Sequence, residues 1–243
     1  MTSTKRRIAR DSMTDDDPRP PEPFEPRTLC ERAYLQLRQD IVQGRICPGE
    51  RLRVEHLKDR YQVGAGTLRE SLALLVSDAL VTVEGQRGYR VTAISLDDLQ
   101  DLTDTRVKLE TEALRLSIRY GDTQWEAQLR AAFDSLSASE ARGPSVDPVG
   151  WEQANRHFHE ALIAAHRSPW SQYLLKLLYR HGERYRHVAI RLGTNQSASR
   201  NVHEEHALIF EAAVARQEAR AALALEAHIR LTYELLSSAQ VDM

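Results

Sequence analysis

The 243-residue chain has few of the features that build disulfide scaffolds or membrane helices. Its two cysteines, Cys30 and Cys47, are too few for a disulfide framework or a zinc ribbon. No apolar run approaches the roughly 20 residues that span a bilayer, and residues 1–28 lack the uninterrupted apolar core of a signal peptide. We therefore expect a cytoplasmic protein with no membrane anchor.

A large excess of positive charge, which is typical of proteins that bind nucleic acids, is also absent. Residues 29–95 contain ten lysines and arginines against eight aspartates and glutamates, and residues 96–243 contain 17 against 21. Charge alone is therefore a weak argument for nucleic-acid binding, and the case depends on motifs.

The first 28 residues hold five of the nine prolines and almost nothing apolar, so we predict a disordered tail at 1–28. Its basic cluster could contact a DNA phosphate, although a solvated tail is the simpler interpretation. The rest of the chain is long enough for two domains with separate cores. Helical periodicity that begins after residue 95 divides it into residues 29–95 and 96–238.

Two short helices and a turn come first in the 29–95 segment. Apolar residues recur every four positions over 29–43, which indicates an amphipathic helix, and 54–61 predicts a second helix that is too short to be stable alone. We place a turn at 62–66 and the start of the next helix at Thr67. This order fits a helix-turn-helix, or an ordinary helical hairpin within a larger helical core.

A β-hairpin directly after these helices favours the first interpretation. Residues 80–83 and 89–91 alternate apolar and polar side chains around a glycine-flanked turn. A helical bundle does not need such a hairpin, whereas a winged helix-turn-helix uses one to contact the DNA backbone or minor groove. Candidate DNA contacts are Thr67 and Arg69 for bases or backbone, Arg53 for phosphate, and Gln86, Arg87 and Gly88 for the wing.

Helical periodicity continues over 96–238, and we expect no strand after Val91. Ser95 is a predicted cap for a long first helix. Within the mostly apolar stripe of that helix, Arg106 either extends to solvent along its aliphatic stem or meets a buried anion.

Three histidines on three separate later helices are candidate metal ligands: His159, His206 and His228. Each is flanked by small or apolar residues, so we expect the rings to point inward. Asn155 lies four residues before His159 and therefore on the same helical face. A single inward histidine is usually a hydrogen-bonded core residue, and periodicity alone leaves that role open for all three.

Several short motifs in the first domain carry a family resemblance: P-G-E-R-L at 48–52, L-R-E-S-L at 68–72, L-V at 80–81 and R-G-Y-R-V at 87–91. The pattern resembles the N-terminal domain of GntR-type bacterial transcription regulators. Members often have an arginine where Ala65 stands and a glycine in place of Ala79. Without that arginine, Arg69 and the wing would carry more of the operator recognition.

Residues 96–237 resemble the FadR C-terminal domain, the all-helical effector module of one GntR subfamily. The matching positions are Arg106 with Glu110, Phe158-His159, Glu205-His206 and Ala227-His228. The resemblance implies zinc or nickel held by an aspartate and three histidines, with Asn155 in place of the aspartate, and a carboxylate effector that meets Arg106. The wing and the recognition helix are also similar to the carbon-starvation-induced, glutarate-responsive branch.

We therefore predict a mainly α protein, with a winged helix-turn-helix followed by an all-helical antiparallel bundle of six or seven helices. The predicted function is a homodimeric repressor that binds a palindromic double-stranded DNA operator. A small dicarboxylate or hydroxy acid, bound beside the metal, would release it from that operator.

Two alternatives differ in the role of the metal. In one, the regulator is a sensor and the metal itself is the signal. The other is a metallohydrolase, which needs a general base beside the metal. No H-E-x-x-H string occurs, and Glu160 and Glu205 should face away from the neighbouring ligands, so we do not predict an enzyme.

Overall fold

The computed structural model describes residues 26, 28–85, 88–143, 146–191 and 201–239. Of the predicted disordered tail, only residues 26 and 28 fall within these ranges. Gln86 and Arg87 of the predicted wing lie outside them. The helices and strands within these ranges are α1 (Leu29–Val42), β1 (Arg51–Leu52), α2 (Val54–Tyr61), α3 (Ala65–Ser77), β2 (Val81–Val83), β3 (Tyr89–Val91), α4 (Leu96–Tyr120), α5 (Thr123–Arg142), α6 (Pro148–Leu162), α7 (Pro169–Arg191), α8 (Val202–Val214) and α9 (Glu218–Ser238).

Helices α1 to α3 and a small antiparallel sheet form the first domain. The sheet has the order β1-β3-β2, with Leu52 opposite Tyr89 and Val81 opposite Val91. Strand β1 was not predicted, because a strand of two residues is too short to show an alternating pattern. Apolar side chains from the three helices and the sheet share one buried core. The predicted winged helix-turn-helix is confirmed.

Helix α3 begins two residues earlier than predicted, at Ala65 rather than Thr67. Gly64 is the N-cap, with φ −66° and ψ 156°, and its carbonyl accepts the Leu68 N–H at 3.0 Å. Gly64 and Gly66 favour a turn that extends to residue 66, which is why the predicted start of the helix was later. Alanine has the highest helix propensity, however, and the burial of Leu68 holds the first turn of the helix in place.

Ala79 ends α3 in a conformation that glycine adopts more easily. Its φ is +57°. Its N–H donates to the Val76 carbonyl at 2.9 Å, and the next N–H, of Leu80, donates to the Leu75 carbonyl at 3.0 Å. These are the two hydrogen bonds of a Schellman motif, in which the left-handed position is usually glycine. Because Leu80 is fully buried, tertiary packing holds the turn although alanine is strained there.

Helices α4 to α9 form the second domain, and no strand follows Val91 in the part of the chain that is described. The long helix α4 packs against α7, α8 and α9; α5 packs against α6 and α8, and α8 packs against α9. The apolar faces meet in a core that includes Leu114, Leu129, Phe158 and Ile209. The predicted all-helical bundle is confirmed, with six helices among the described residues.

Side-chain caps start most of the helices in this bundle. The side-chain oxygens of Ser95, Asp122, Asp147 and Asn201 each accept a backbone N–H from the first turn that follows. Two aspartates in the first turn of α4 also complement the helix dipole. None of the described helices combines the length and the apolar character needed to cross a membrane.

Candidate functional site

Three histidines from three helices meet inside the second domain, and we call this cluster the histidine site. His159 lies on α6, His206 on α8 and His228 on α9. One ring nitrogen from each lies within 4.8 Å of the others, and the ring centroids are 4.6 to 5.6 Å apart. His206 is fully buried, and His159 is 5% exposed. The tertiary structure thus brings together the three histidines selected from the sequence.

Carboxylates hold two of these rings from the side away from the cluster. His206 Nδ1 lies 2.6 Å from Glu140 Oε1, and His228 Nδ1 lies 2.7 Å from Glu205 Oε2. The same Glu140 carboxylate also meets Nδ1 of His203 at 2.8 Å. A carboxylate that accepts an Nδ1–H leaves the lone pair on Nε2 and makes that nitrogen a stronger ligand. Both rings are therefore oriented for coordination through Nε2.

The state of these imidazoles fits a metal-ligand set. Nε2 of His206 is buried and has no hydrogen-bond partner among the described residues, which is costly unless a ligand fills its lone pair. Burial, followed by the charges of the other two histidines and two arginines, holds the pKa of His159 well below its ordinary value of 6.5. His159 is therefore neutral at physiological pH, as a metal ligand must be. Neutral imidazoles suit zinc and nickel.

Asn155 reaches the same site from α6, one helical turn before His159. Its side chain is buried, and its amide nitrogen donates to the Tyr179 hydroxyl at 2.8 Å. That hydroxyl donates in turn to Glu152 Oε1 at 3.4 Å. Because the amide nitrogen is used in this chain of hydrogen bonds, the carbonyl oxygen is the atom of Asn155 that could bind a metal. It is a neutral ligand, unlike the aspartate of the family pattern.

Arg106 is a buried, ion-paired neighbour of the histidine site. Its Nε donates to Glu110 Oε1 at 2.7 Å, and the two side chains are only 10% and 6% exposed. The guanidinium carbon lies 5.7 Å from the centroid of the Tyr179 ring. Gly182 provides the space, since a Cβ there would lie 2.8 Å from Nη1 of Arg106. The sequence left open whether Arg106 extends to solvent or meets a buried anion, and in the structure it forms a buried ion pair with Glu110.

A second buried arginine and a small cavity complete the surroundings of the site. Arg186 donates to both carboxylate oxygens of Glu152, at 3.2 and 2.5 Å, and lies over the Tyr179 ring. The cavity between these groups has a volume of about 20 Å³, and its wall includes Asn155, Arg106 and the three histidines. That volume holds one water molecule or one metal ion, but no organic acid of several carbons.

The sequence did not identify the groups behind the histidines or the role of α7. Glu140 lies 66 residues before His206, so no local spacing links the two side chains. Tyr179 belongs to no recognisable motif. Gly182 was the available signal, because a glycine inside a long helical pattern can mark a close packing contact.

The predicted DNA contacts that are described lie on the surface of the first domain. Arg53 and Arg69 are exposed, and Thr67 is half-buried in the first turn of α3. That turn contains no acidic residue, so nothing in it repels a phosphate at the helix N terminus. Gly88, just before β3, has a φ of +90°, which lies in the left-handed region that favours glycine.

Helix α7 contacts the first domain at the end of α3. Arg180 Nη1 lies 3.1 Å from the carboxylate of Asp78, the C-cap of α3, and His181 Nε2 lies 2.9 Å from the Asp78 carbonyl. One turn further along α7, Arg184 donates to the Thr92 carbonyl at 2.6 Å. The same helix contributes a tyrosine and an arginine beside the histidine site, so α7 contacts both that site and the DNA-reading domain.

Both domains match known protein families. Residues 29–91 match the bacterial regulatory proteins of the gntR family, and residues 101–231 match the FCD domain. The uncharacterized HTH-type transcriptional regulator BphR of Paraburkholderia xenovorans is 47% identical over 207 residues, which cover 84% of this chain and 83% of BphR. The HTH-type transcriptional repressor GlaR of Escherichia coli is 33% identical over 208 residues, which cover 85% of this chain and 94% of GlaR.

Two solved structures show the same fold at lower identity. E. coli McbR/YncC has a TM-score of 0.73 at 20% identity and covers 88% of this chain and 99% of its own. A GntR regulator from Rhodococcus sp. RHA1 has a TM-score of 0.68 at 23% identity and covers 86% of this chain and 98% of its own. The gntR family match and the two curated relatives, BphR and GlaR, identify a transcription regulator and not a metallohydrolase. The chain belongs to the GntR family of bacterial transcription regulators, with the FCD domain of the FadR subfamily.

Proposed function

We propose that this DNA-binding regulator is a repressor whose second domain binds a divalent metal, zinc or nickel, together with a small carboxylate effector. The observation that carries the metal part is the histidine site, where carboxylates orient two of three inward imidazoles. Nε2 of His206 is buried and has no hydrogen-bond partner among the described residues, and a metal ion would fill its lone pair. A divalent cation there would supply a fixed positive charge for an effector carboxylate.

Arg106 supports the carboxylate part of this function. A guanidinium forms paired hydrogen bonds with a carboxylate, and here Glu110 engages it through Nε. The Nη groups donate no hydrogen bond to any described residue, so they remain for an effector. Because the cavity has a volume of only about 20 Å³, an organic acid must displace side chains. The Tyr179 ring contacts both Arg106 and Arg186, so a displacement of either guanidinium would disturb this ring.

Movement of Tyr179 would reach the DNA-reading domain through α7. On this helix Arg186 lines the cavity of the histidine site, and the Tyr179 ring lies 5.9 Å from the His159 ring, centroid to centroid. The neighbouring Arg180 and His181 contact Asp78 at the end of α3. A shift of α7 would therefore change the angle of α3 relative to the second domain. Release from DNA then requires that the effector bind the low-affinity arrangement more tightly than the other.

A homodimer fits both a palindromic operator and the surface of α7. Two reading domains related by a two-fold axis would contact half-sites about one helical turn of DNA apart. Trp170, Tyr173 and Leu174, at the start of α7, are 78%, 60% and 42% exposed, and a second copy would cover this apolar patch. A regulator of bacterial operators acts in the cytoplasm.

Elemental analysis of the purified full-length protein tests the metal part. We expect about one zinc or nickel ion per chain and its loss from His206→Ala. His157→Ala is the matched control, because His157 lies on α6 but is exposed, and it should retain the metal. A wild-type protein that holds no transition metal and takes up none on incubation with zinc would contradict the site.

A thermal-shift screen with four- to six-carbon dicarboxylates and hydroxy acids, glutarate included, tests the effector part. We expect at least one acid to stabilise the metal-loaded wild type and to lose that effect in Arg106→Gln. An acid that stabilises both proteins equally would contradict the role of Arg106. If zinc or nickel alone releases operator DNA in a gel shift and no acid does, the metal is the signal and the carboxylate model is wrong.

Arg69→Ala tests the recognition helix. We expect operator affinity in a gel shift to fall by an order of magnitude or more, because one base-edge contact contributes about 1–3 kcal/mol. Arg142→Ala removes the same charge from an exposed position at the end of α5 and should leave affinity unchanged. Equal affinities of the two variants would show that Arg69 does not contact the operator.

A further inference from the structure

A cavity much larger than the one at the histidine site is lined by residues of the second domain and by Arg38 of the first. Its volume is about 720 Å³, and residues of α1, α4, α5, α6 and α7 line it. A volume of this size is typical of sites for small organic molecules. We call it the basic groove and define it by the four basic side chains on its wall: Arg38, Arg156, Lys176 and Arg180.

Positive charge exceeds negative charge on the wall of the basic groove. Glu110 and Glu160 are the acidic side chains there. The Glu110 carboxylate is already held by Arg106 at 2.7 Å, so it contributes little free negative charge. Apolar side chains such as Ile163 and Leu175 form other parts of the wall. The groove can therefore contact both the charged groups and the carbon skeleton of an organic anion.

Two of the four basic groups have no acidic partner among the described residues. Arg156 and Arg180 each pair with a carboxylate. Arg38 and Lys176 form no ion pair with any described residue, and Arg38 lies over the Tyr34 ring at 5.6 Å. These two cations come from different domains, Arg38 from α1 and Lys176 from α7. An anion that contacts both would give each cation a negatively charged partner.

We propose that the basic groove binds a small organic anion with two or more negative charges, at a site separate from the histidine site. His159 lines both cavities, but Arg38, Lys176 and Tyr179 line only the groove. The groove also has the room that the smaller cavity lacks. This site needs no metal and therefore does not depend on the function proposed above.

An anion in the basic groove would act on the end of α3. Tyr34, which stacks on Arg38, donates a hydrogen bond from its hydroxyl to the Asp78 carboxylate. Arg180 contacts the same carboxylate at 3.1 Å. A ligand that draws Arg180 toward itself competes with Asp78 for that guanidinium, and one that draws Arg38 removes the cation from the Tyr34 ring. Occupancy of the groove would thus change how the first domain is held against α7.

Isothermal titration calorimetry of the full-length protein tests the site. The probes are propane-1,2,3-tricarboxylate and fructose 1,6-bisphosphate, with acetate as a monoanionic control. We expect at least one polyanion to bind and acetate not to bind. A preference for the tricarboxylate identifies a polycarboxylate ligand, and a preference for the bisphosphate identifies a phosphate ester; either supports the site.

Lys176→Gln and Arg38→Gln should each weaken polyanion binding about tenfold, because each removes one charge-assisted contact. Lys108→Gln removes the same charge from an exposed position on α4 and should change the affinity by less than about twofold. Lys176 is itself exposed, so its replacement should leave the melting temperature unchanged, and a loss of binding in this variant cannot be ascribed to unfolding.

Failure of both polyanions to bind overturns the site, and so does wild-type affinity in both Lys176→Gln and Arg38→Gln. His206→Ala separates this site from the proposed metal centre. Binding that is lost in His206→Ala would place the polyanion at the histidine site and overturn the groove. Binding that persists in His206→Ala supports the groove, whether or not the wild-type protein holds a metal.

Discussion

Replacement of Glu140 by glutamine removes the negative charge behind His206 while it keeps the shape of the side chain. The Glu140 side chain is 6% exposed and meets Nδ1 of His206 at 2.6 Å and Nδ1 of His203 at 2.8 Å. A carboxylate accepts a hydrogen bond from both rings, whereas a primary amide has one acceptor atom and one donor atom. We expect Glu140→Gln to bind metal more weakly, because the His206 ring loses its charged partner.

The expected loss is about 10- to 100-fold in metal affinity, the usual effect of removing an outer partner of a metal-binding histidine. This corresponds to about 1.4–2.7 kcal/mol of binding free energy. Metal that binds only the folded protein stabilises it in proportion to the logarithm of the affinity. The metal-induced rise in melting temperature should therefore shrink by roughly 3–10 °C for a domain of this size.

Two measurements check this expectation in the purified protein. Competition with a chromophoric chelator gives the zinc affinity, and thermal unfolding with and without zinc gives the change in stabilisation. Glu126→Gln is the matched control on the same helix, because Glu126 pairs at the surface with Arg130 and Arg216. Its zinc affinity should equal that of the wild type.

An equal fall in melting temperature with and without zinc, at unchanged zinc affinity, would refute this role of Glu140. The carboxylate would then serve only to satisfy two histidine rings in the folded protein. The histidine site would be a polar part of the core, and the metal would have no place in the mechanism.

Three other substitutions have expected outcomes that the structure decides. Asn155→Asp should raise zinc affinity about tenfold, because a charged ligand replaces a neutral carbonyl; an unchanged affinity would exclude position 155 from the ligand set. Ala79→Gly should stabilise the first domain by about 1 kcal/mol, since Ala79 has a φ of +57°. Ala73→Gly, on the exposed face of α3, should instead destabilise it by about 1 kcal/mol. Urea unfolding measures both, and a loss of stability in Ala79→Gly would contradict the strain. Burial lowers the pKa of His181 below 6.5 in the folded protein. As the pH falls, the unfolded chain therefore takes up a proton at this position before the folded chain does, and the free energy of unfolding decreases below about pH 6.5. His181→Gln should make the unfolding free energy less dependent on pH between about pH 7 and 5, and an unchanged dependence would contradict the neutral state of His181.

The DNA-reading domain could be predicted because its signals are local. Leucines on one face of a helix and alternation around a glycine-flanked turn are properties of a few neighbouring residues. Two details of the domain were not predictable in this way. The start of α3 at Ala65 depends on the burial of Leu68, and strand β1 exists because its two residues pair with β3. Both depend on packing between segments that are distant in the sequence.

The sequence by itself determined which residues of the second domain could take part in a site. Helical periodicity decides the face on which a side chain lies, and it directed His159, His206 and His228 inward. Periodicity does not decide which faces of different helices meet. The ion pair of Arg106, the carboxylate of Glu140 behind His206 and the position of α7 between the histidine site and Asp78 depend on that choice. Only the tertiary structure decided these contacts, because burial of the apolar faces selects one packing of the helices and the polar contacts follow from it.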